Sequence, residues 1–467
     1  MIKNLLLLGS LALIFTGCSK STTPEITDPI VVSPTAYTVT EGFENSSKGG
    51  YKIDTITSPT GTWTLDSALV GNLAADLKNG TKSVRLRNGN ITMNFDVKGM
   101  TMLYFKHGKY GTDANTVLQL MMSVDAGKTF TQIGADIVEN NTTLKLDSFK
   151  VSTTAAVRFR IRKVGTARVN IDDITFKGTG DPGIVAGTPD TNPTDTTSTG
   201  NASTPRGVIA GTDAQPAAGD NSNSLFGNPS GANSVLLDNF LIDQKYYVES
   251  YSSSRGTPNW VSWHLDVADF NGTSSRLDNF AGFTGLPAGA FQVQSNSYSG
   301  SGFDRGHNTP SADRTSSTNA NSATFLMSNM IPQAPQNNQQ TWRILEEYLR
   351  SIALQGNEVY IIMGSYGSGG IGSNGAASTI ANGKVTVPSN VWKIAVIIPS
   401  GNGDMSRVSS TTRVIAVNTP NVNTTNKDWK TYRVTVRDIE KATGYNLLSA
   451  LPQTVQDAIE TTVDKVN

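Results

Sequence analysis

Glycines punctuate the stretch Ser299-Gly-Ser-Gly-Phe-Asp-Arg-Gly-His-Asn-Thr-Pro310, which contains His307, one of only three histidines in the 467 residues. A histidine side chain exchanges a proton near neutral pH, so it is suited to act as a general base. Arg305, two residues earlier, carries a permanent charge on a planar group that matches phosphate oxygens. A base beside a phosphate ligand in one tight segment predicts phosphoryl chemistry.

A second informative segment follows downstream, Gln336-Asn-Asn-Gln-Gln-Thr-Trp-Arg-Ile-Leu-Glu-Glu-Tyr-Leu-Arg350. Its apolar residues recur at helical spacing and predict an amphipathic helix through Ile344, Leu345, Tyr348, Leu349 and Ile352. Glu346 and Arg350 are four residues apart and share one face of that helix, and Asn338 lies just ahead of it. These three side chains are expected to line one side of a pocket opposite His307. An ordinary surface ion pair between Glu346 and Arg350 is the alternative.

These two segments resemble the DNA/RNA non-specific endonuclease family, whose Asp-Arg-Gly-His motif lies in a ββα-metal finger. The similarity runs from Ser222 to the C terminus. Further matching segments are Gly256-Thr-Pro-Asn-Trp-Val-Ser-Trp263, Arg276-Leu-Asp-Asn-Phe280, Thr324-Phe-Leu-Met-Ser-Asn-Met-Ile-Pro-Gln333, Val385-Thr-Val-Pro388, Trp392-Lys393 and Ile439-Glu-Lys-Ala-Thr-Gly-Tyr445. Because so many segments match in chain order, we expect an α+β nuclease domain of the ββα-metal class over residues 222–467.

The resemblance implies hydrolysis of phosphodiester bonds in DNA and RNA to 5′-phosphate products, with Mg²⁺ as the cofactor and Mn²⁺ as an alternative ion. It assigns His307 as the general base and Asn338 as the one direct protein ligand of the metal. Glu346 would hold metal-bound waters, and Asn329 would position His307 or those waters. Three arginines would contact the substrate phosphates: Arg276, Arg305 and Arg350. Asp304 is expected to brace the turn.

Composition limits the choice of function. The chain has 38 basic and 38 acidic side chains, so it lacks the overall positive field of a tight DNA-binding protein. A nuclease, which must release its product, is not excluded, because local arginines can bind phosphate. A His-Glu-x-x-His zinc motif and a Walker loop are both missing from the sequence. The only cysteine is Cys18, so neither an intramolecular disulfide nor a cysteine pair for zinc can form.

The N terminus predicts export and lipidation. Lys3 precedes an apolar run from Leu5 to Phe15 that is too short to span a membrane. The sequence Phe15-Thr-Gly-Cys18 resembles a bacterial lipoprotein box, so we predict a signal peptide over residues 1–18 and a lipid on Cys18. An ordinary signal peptide with an incidental cysteine is the alternative. Residues 19–36 are polar and read as a tether. The protein is therefore expected outside the cytoplasm, lipid-anchored at a bacterial membrane and facing the periplasm or the cell surface.

Residues 37–178 predict an antiparallel β-sandwich. Its alternating segments are Ser83-Val-Arg-Leu-Arg87, Ile91-Thr-Met-Asn-Phe95, Leu118-Gln-Leu-Met-Met-Ser-Val124 and Val157-Arg-Phe-Arg-Ile-Arg162. Turns such as Asn88-Gly89 are predicted to separate them. The segments Glu41-Gly-Phe-Glu44 and Asn170-Ile-Asp-Asp-Ile-Thr-Phe176 resemble galactose-binding-like jelly-roll modules of bacterial surface proteins, which makes a glycan one expected ligand.

Arginines on one predicted strand of the sandwich, Arg158, Arg160 and Arg162, make a polyanion a second expected ligand, although such a strand is commonly just the solvated face of a sheet.

His107 has no recognisable partner pattern and is predicted at the surface. His264, between a tryptophan and a leucine, is predicted to be a structural histidine.

Residues 179–221 are rich in Thr, Pro, Gly, Asp and Asn and are predicted to be a flexible linker. The expected architecture is thus multidomain, with an N-terminal antiparallel, jelly-roll-like β-sandwich and a C-terminal α+β nuclease domain. The competing hypothesis is a lipid-anchored surface protein that binds polyanions or carbohydrate and carries an inactive nuclease fold.

Overall fold

The computed structural model describes residues 36–44, 46–184, 201–272 and 274–466. The predicted signal peptide, the lipidation site at Cys18 and the predicted tether up to residue 35 lie outside these ranges. In the described part of the chain, no helix is both long enough and apolar enough to cross a membrane.

Antiparallel strands build the N-terminal region. They are β1 (Ala36–Glu41), β2 (Asp54–Ser58), β3 (Gly61–Gly71), β4 (Ser83–Met93), β5 (Met100–Lys109), β6 (Thr116–Ser123), β7 (Thr131–Gln132), β8 (Ile137–Glu139), β9 (Lys145–Lys150), β10 (Arg158–Val164) and β11 (Val169–Thr179). Three of the described strands, β4, β6 and β11, each pair with three neighbours, so the sheet branches and encloses one apolar core. Trp63 is buried in that core, and its ring lies 5.4 Å from that of Phe43 and 5.5 Å from that of Phe95. The predicted antiparallel β-sandwich is confirmed.

Two details of the sandwich differ from prediction. Asn88-Gly89 is not a turn, because β4 continues through it; a Cβ on Gly89 would lie 2.3 Å from the backbone oxygen of Asp66 on the adjacent strand. His107 is not at the surface but fully buried, with Nδ1 bonded to Glu139 and Nε2 3.0 Å from the carboxylate of Asp147. Both predictions were wrong because the neighbouring strands, which are distant in sequence, decide these environments.

The arginine strand of the sandwich is β10, and its side chains have different partners. Arg158 forms an ion pair with Asp96 at 2.8 Å, and the guanidinium of Arg160 lies 3.9 Å from the centre of the Phe130 ring. Arg162 is exposed. Binding of a polyanion or glycan by the sandwich stays a prediction.

The second half of the predicted linker is folded. The backbone N–H of Arg206 donates to the carbonyl of Gly282 at 2.9 Å, and the N–H of Gly211 donates to the hydroxyl of Tyr246 at 2.8 Å. A flexible linker over all of residues 179–221 therefore does not hold for residues 201–221. The low apolar content of these residues favoured a linker, but the structure shows that they hydrogen-bond to the C-terminal region and that Val208 and Ala214 pack against its apolar clusters.

The C-terminal region is α+β, as predicted. Its described strands are β12 (Phe240–Asp243), β13 (Val248–Ser252), β14 (Thr257–Leu265), β15 (Asp304–His307), β16 (Met330–Gln333), β17 (Asn357–Tyr366), β18 (Gly370–Gly372), β19 (Gly375–Ala377), β20 (Thr379–Ile380), β21 (Val385–Thr386), β22 (Asn390–Pro399) and β23 (Arg413–Pro420). Its described α-helices are α1 (Val267–Phe270), α2 (Thr318–Thr324), α3 (Arg343–Leu354), α4 (Asp404–Arg407), α5 (Val436–Thr443) and α6 (Gln453–Ile459).

A central antiparallel sheet, in the order β12-β13-β14-β17-β22-β23, organises this region. Alternate residues of its inner strands enter two apolar clusters, one on each face. Val359 and Ile361 belong to the cluster that contains Leu345 and Leu349 of α3. Ile362 belongs to the cluster that contains Val436 and Ile439 of α5, together with Tyr360 and Ile394. Burial on both faces explains why these strands read as nearly continuous apolar runs.

The Asp-Arg-Gly-His sequence is β15, which pairs antiparallel with β16 and sets Gly306 opposite Ile331. A glycine suits this position, because a Cβ on Gly306 would lie 2.7 Å from the Cβ of Gln333. A π-helical turn, Asn337–Trp342, then leads into α3. This strand–strand–helix unit is the ββα arrangement that the sequence resemblance implied.

Candidate active site

His307 ends β15, and its half-buried imidazole packs against two phenylalanine rings. The ring centres of Phe280 and Phe325 lie 5.5 Å and 5.1 Å from that of His307. Burial, and then the positive charges of Arg276 and Arg305, hold the pKa of His307 well below its ordinary value of 6.5. The imidazole is therefore neutral at neutral pH and able to accept a proton.

Asn338 lies in the π-helical turn before α3, and a carboxylate of β15 fixes its side-chain amide. Its Nδ2 donates to Oδ2 of Asp304 at 2.9 Å, and the same oxygen accepts from Nε2 of Gln339 at 2.9 Å. Because the amide nitrogen is engaged, the amide oxygen of Asn338 is oriented away from Asp304. The motif aspartate thus connects the strand that carries His307 to the turn that carries Asn338.

Glu346, on the first turn of α3, is paired with a buried lysine of the central sheet. Nζ of Lys393 lies 3.0 Å from Oε1 of Glu346, and the lysine side chain is only 1% exposed. The same ammonium group lies 5.4 Å from the ring centre of Trp263 and 5.2 Å from that of Trp342. Burial raises the pKa of Glu346, and the charge of Lys393 opposes that rise. Lys393 therefore favours the ionised carboxylate.

Arg350, one turn further along α3, lies in a second buried ion pair. Its Nη1 is 2.7 Å from Oδ1 of Asp313, and the two side chains are 1% and 2% exposed. The indole N–H of Trp263 donates to the other oxygen of Asp313 at 3.0 Å. Arg350 is thus held within the protein beside Glu346, and its predicted contact with phosphate stays a prediction. The simple surface ion pair between Glu346 and Arg350 does not describe this arrangement, because each side chain has a buried partner elsewhere.

Arg276 and Arg305 both lie near His307. Their guanidinium carbons are 5.0 Å and 3.6 Å from the ring centres of Phe325 and Phe280, the two rings that contact the imidazole. Nε of Arg276 is 2.7 Å from a carboxylate oxygen of Asp278, and its Nη1 donates to the hydroxyl of Ser311 at 3.1 Å. Nη1 of Arg305 donates to the carbonyl of Ser295 at 3.1 Å. The structure therefore brings two of the three predicted phosphate ligands together around the candidate base.

Asn329 is fully buried and holds the segment that follows His307. Its Oδ1 accepts from the N–H of Thr309 at 3.0 Å, and its Nδ2 donates to the carbonyls of Thr309 and Thr324 at 2.9 Å each. The side chain of Asn308 donates to the backbone oxygen of Asn329 at 2.9 Å. With both ends of its amide engaged by backbone, Asn329 is placed to position the His307 strand.

His264 lies apart from these residues and is fully buried between two carboxylates. Its Nε2 is 3.0 Å from Glu358 and its Nδ1 is 3.5 Å from Asp269. Although burial opposes charge, these two carboxylates raise the pKa of His264 to about 9. The residue is a charged structural histidine, in agreement with the prediction.

Four residues that contact the predicted site residues were not recognised from the sequence: Phe280, Asp313, Phe325 and Lys393. A buried partner for Lys393 could have been predicted, because a lysine inside the otherwise apolar run of a central strand requires a buried group to pair with its charge. Phe280 and Phe325 lie in segments that match the family, but neither ring was assigned a role. Asp313 stands in a segment whose local pattern points to no particular contact.

The donor set around Asn338 fits a hard divalent cation. An amide oxygen of fixed orientation is a suitable ligand for an ion that keeps several of its waters, and Glu346 supplies a carboxylate that can accept hydrogen bonds from such waters. In the described part of the chain, no group of three or more His, Cys, Asp or Glu side chains is arranged to hold a metal ion.

Comparison with known proteins identifies the class to which this chain belongs. The DNA/RNA non-specific endonuclease family matches residues 229–454. A nuclease of Nostoc sp. is 46% identical over 242 residues, which cover 51% of this chain and 85% of that protein. Nuclease C1 of Cunninghamella echinulata is 30% identical over 243 residues, or 50% of this chain and 90% of that protein. The mitochondrial nuclease EXOG of Danio rerio is 28% identical over 232 residues, or 48% of this chain and 64% of that protein.

The chain belongs to the DNA/RNA non-specific endonuclease family. It is a nuclease, and therefore an enzyme that hydrolyses phosphodiester bonds of nucleic acids, in a family of metal-dependent nucleases.

Replacing Lys393 with methionine is expected to destabilise the protein by about 3–5 kcal/mol, because it leaves the carboxylate of Glu346 buried without its cation. Guanidinium denaturation of the metal-free protein measures this change. The Lys393→Met/Glu346→Gln double variant should regain much of the lost stability, since it removes both charges. Lys384→Met, at an exposed lysine of the same domain, is the matched control. Equal stability of Lys393→Met and this control would show that the pair contributes little.

Proposed function

We propose that this protein is a Mg²⁺-dependent endonuclease that cleaves DNA and RNA without regard to the sugar and leaves 5′-phosphate ends. The observation that carries the proposal is the ββα unit itself. It places a neutral, half-buried His307 at the end of the strand whose Asp304 orients the amide of Asn338. Mn²⁺ is an alternative ion, because it takes the same oxygen ligands.

His307 accepts the proton of the attacking water in this proposal, and its lowered pKa keeps the imidazole in the accepting form. Asn338 would hold the metal ion through its amide oxygen, and the carboxylate of Glu346 would accept hydrogen bonds from waters of the ion. When bound, the metal ion supplies Lewis-acid stabilisation of charge on the phosphate and the leaving oxygen. Arg276 and Arg305 neutralise the phosphate, Arg350 adds positive charge beside Glu346, and Asn329 positions the His307 strand.

Low sequence specificity is proposed because the residues around His307 are suited to phosphate and not to base edges. Contacts with the phosphate backbone carry little sequence information, and telling RNA from DNA requires a group that tests for the 2′-hydroxyl. Single-stranded DNA, double-stranded DNA and RNA are all expected to be substrates.

The decisive experiment incubates purified protein with plasmid DNA and with RNA, with Mg²⁺ and with EDTA. Cleavage of both substrates that stops in EDTA and returns with added Mg²⁺ is expected, with 5′-phosphates on mapped product ends. Absence of metal-dependent cleavage would favour the competing hypothesis, an inactive nuclease fold on a surface-binding protein. Cleavage at a defined sequence, or RNA left intact while DNA is cleaved, would show that the site also recognises the bases or the sugar.

We further propose that the enzyme is exported and anchored to a bacterial membrane by lipid on Cys18, facing the periplasm or the cell surface. The support is sequence alone: the sole cysteine, Cys18, lies three residues after the end of a short apolar run. Metabolic labelling with a fatty acid should mark the wild-type protein and not Cys18→Ser. Binding of a polyanion or glycan by the β-sandwich is a separate proposal. The exposed Arg162 on β10 supports a polyanion, and the resemblance to galactose-binding-like modules supports a glycan. A glycan and heparin array tests both.

A further inference from the structure

Three rings meet at the candidate base in a closed triangle. The ring centres of Phe280 and Phe325 are 4.9 Å apart with an angle of 85° between their planes. His307 contacts both rings edge to face, at interplanar angles of 60° and 89°. Each ring of the triangle therefore meets the other two at a steep angle, the geometry that aromatic side chains prefer.

The triangle is assembled from three separate segments and locked by backbone hydrogen bonds. Phe280 lies in the loop between α1 and β15, Phe325 directly follows α2, and His307 is in β15. The N–H of Ala281 donates to the carbonyl of Phe325 at 3.2 Å, and the N–H of Met327 donates to the carbonyl of Ala281 at 2.9 Å. These bonds hold the two phenylalanines side by side, and both are buried, at 4% and 0% exposure.

The same two phenylalanine rings also carry the two arginines that lie beside the base. The guanidinium carbon of Arg305 is 3.6 Å from the ring centre of Phe280, and that of Arg276 is 5.0 Å from the ring centre of Phe325. A guanidinium group over an aromatic face is held by cation–π attraction. The rings of Phe280 and Phe325 therefore contact the candidate base and the two nearby guanidinium groups at the same time.

A catalytic histidine is usually oriented by a carboxylate or carbonyl that accepts a hydrogen bond from one ring nitrogen. Among the described residues, none forms a hydrogen bond with the buried Nε2 of His307. Packing must therefore supply the orientation that a hydrogen bond supplies elsewhere, and the two phenylalanine rings are the aromatic groups in contact with the imidazole.

We propose that Phe280 and Phe325 are positioning residues for the hydrolysis, which set the plane of the His307 ring and hold Arg305 and Arg276 beside it as one unit. This inference rests on the proposed role of His307 as the general base. It assigns to the rings a function beyond packing: loosening them misplaces the base and its flanking cations together, while the fold remains intact.

The test replaces each ring by an aliphatic side chain, in Phe280→Leu and Phe325→Leu. Both variants should lower kcat by about ten- to a hundred-fold, as expected when a reacting group is misplaced by a fraction of its size, with a much smaller change in KM. Because the protein has only three histidines, histidine-labelled protein also allows the His307 ring to be followed by NMR without metal. Its titration should move upward towards the ordinary histidine pKa in both variants, since the ring becomes better solvated while Arg276 and Arg305 remain.

Phe226→Leu is the matched control. Phe226 is 3% exposed and makes an edge-to-face contact with Tyr360 at 4.9 Å, in the apolar cluster on the α5 face of the central sheet. This variant loses the same volume and the same kind of contact, and it should leave kcat and the His307 titration unchanged. Phe280→Tyr, which keeps the ring, should retain more activity than Phe280→Leu.

The inference is overturned if the folded leucine variants keep the wild-type His307 titration, or if kcat falls no further than in Phe226→Leu. Should Phe325→Leu fail to fold, Phe280→Leu decides, because its site is less deeply buried. Failure of the proposed function is distinguishable: wild-type protein would then lack metal-dependent cleavage, while the NMR titration of the metal-free protein would still report on the rings.

Discussion

Replacing His307 with alanine is expected to lower kcat for DNA hydrolysis by about 10²–10⁴-fold, the usual contribution of a general base, while DNA binding changes little. The reason is that a base acts in the transition state, where it takes the proton of the attacking water, and adds little to the affinity for the bound substrate. Single-turnover kinetics on a labelled duplex measure the first effect, and binding of an uncleavable phosphorothioate duplex measures the second.

The pH dependence provides a second test of the same residue. The folded-state pKa of His307 is lowered from 6.5 by burial and by two arginines, so the imidazole stays neutral until the pH falls well below that value. Activity that depends on a neutral His307 should therefore persist below pH 6.5 and decline as pH falls through the lowered pKa. An acid limb centred near or above 6.5, or a loss of binding as large as the loss of rate in His307→Ala, would contradict this assignment.

Replacing Asn338 with alanine is expected to raise the Mg²⁺ concentration needed for half-maximal activity by about tenfold or more, in the range seen when a metal site loses a supporting group. The variant removes the one protein oxygen that the proposal assigns to direct contact with the ion, and the waters held by Glu346 cannot replace it. Magnesium titrations of cleavage measure the shift, and calorimetric or paramagnetic titration with Mn²⁺ measures it without turnover.

Gln339→Ala is the matched control for Asn338→Ala. Both side chains donate to the same oxygen of Asp304 at 2.9 Å, so both variants remove one hydrogen bond from the motif aspartate. Only Asn338→Ala should weaken metal binding strongly. If the two variants needed the same Mg²⁺ concentration, the effect would come from Asp304 and not from a metal ligand at residue 338.

Much of the fold could be predicted from patterns within single segments of the chain. Apolar residues at helical spacing from Ile344 to Ile352 predicted α3, and continuous apolar runs predicted the central strands β17 and β22. Both predictions worked because the spacing of apolar residues along an element shows which of its faces are buried. The Asp-Arg-Gly-His sequence and Asn338 were predicted as site residues from a short motif and its family resemblance. All of these signals lie within single segments.

The sequence by itself thus determined the two-part architecture, the ββα unit and the candidates His307 and Asn338. Only the tertiary structure decided the partners of these residues, since the partners are far apart in the chain. Lys393 pairs with Glu346 across 47 residues, and Arg350 pairs with Asp313 across 37. The phenylalanine rings that hold His307 likewise come from two other segments. Side-chain periodicity reports which face of an element is buried, but not what lies against it, and that second fact sets the charge and orientation of the site.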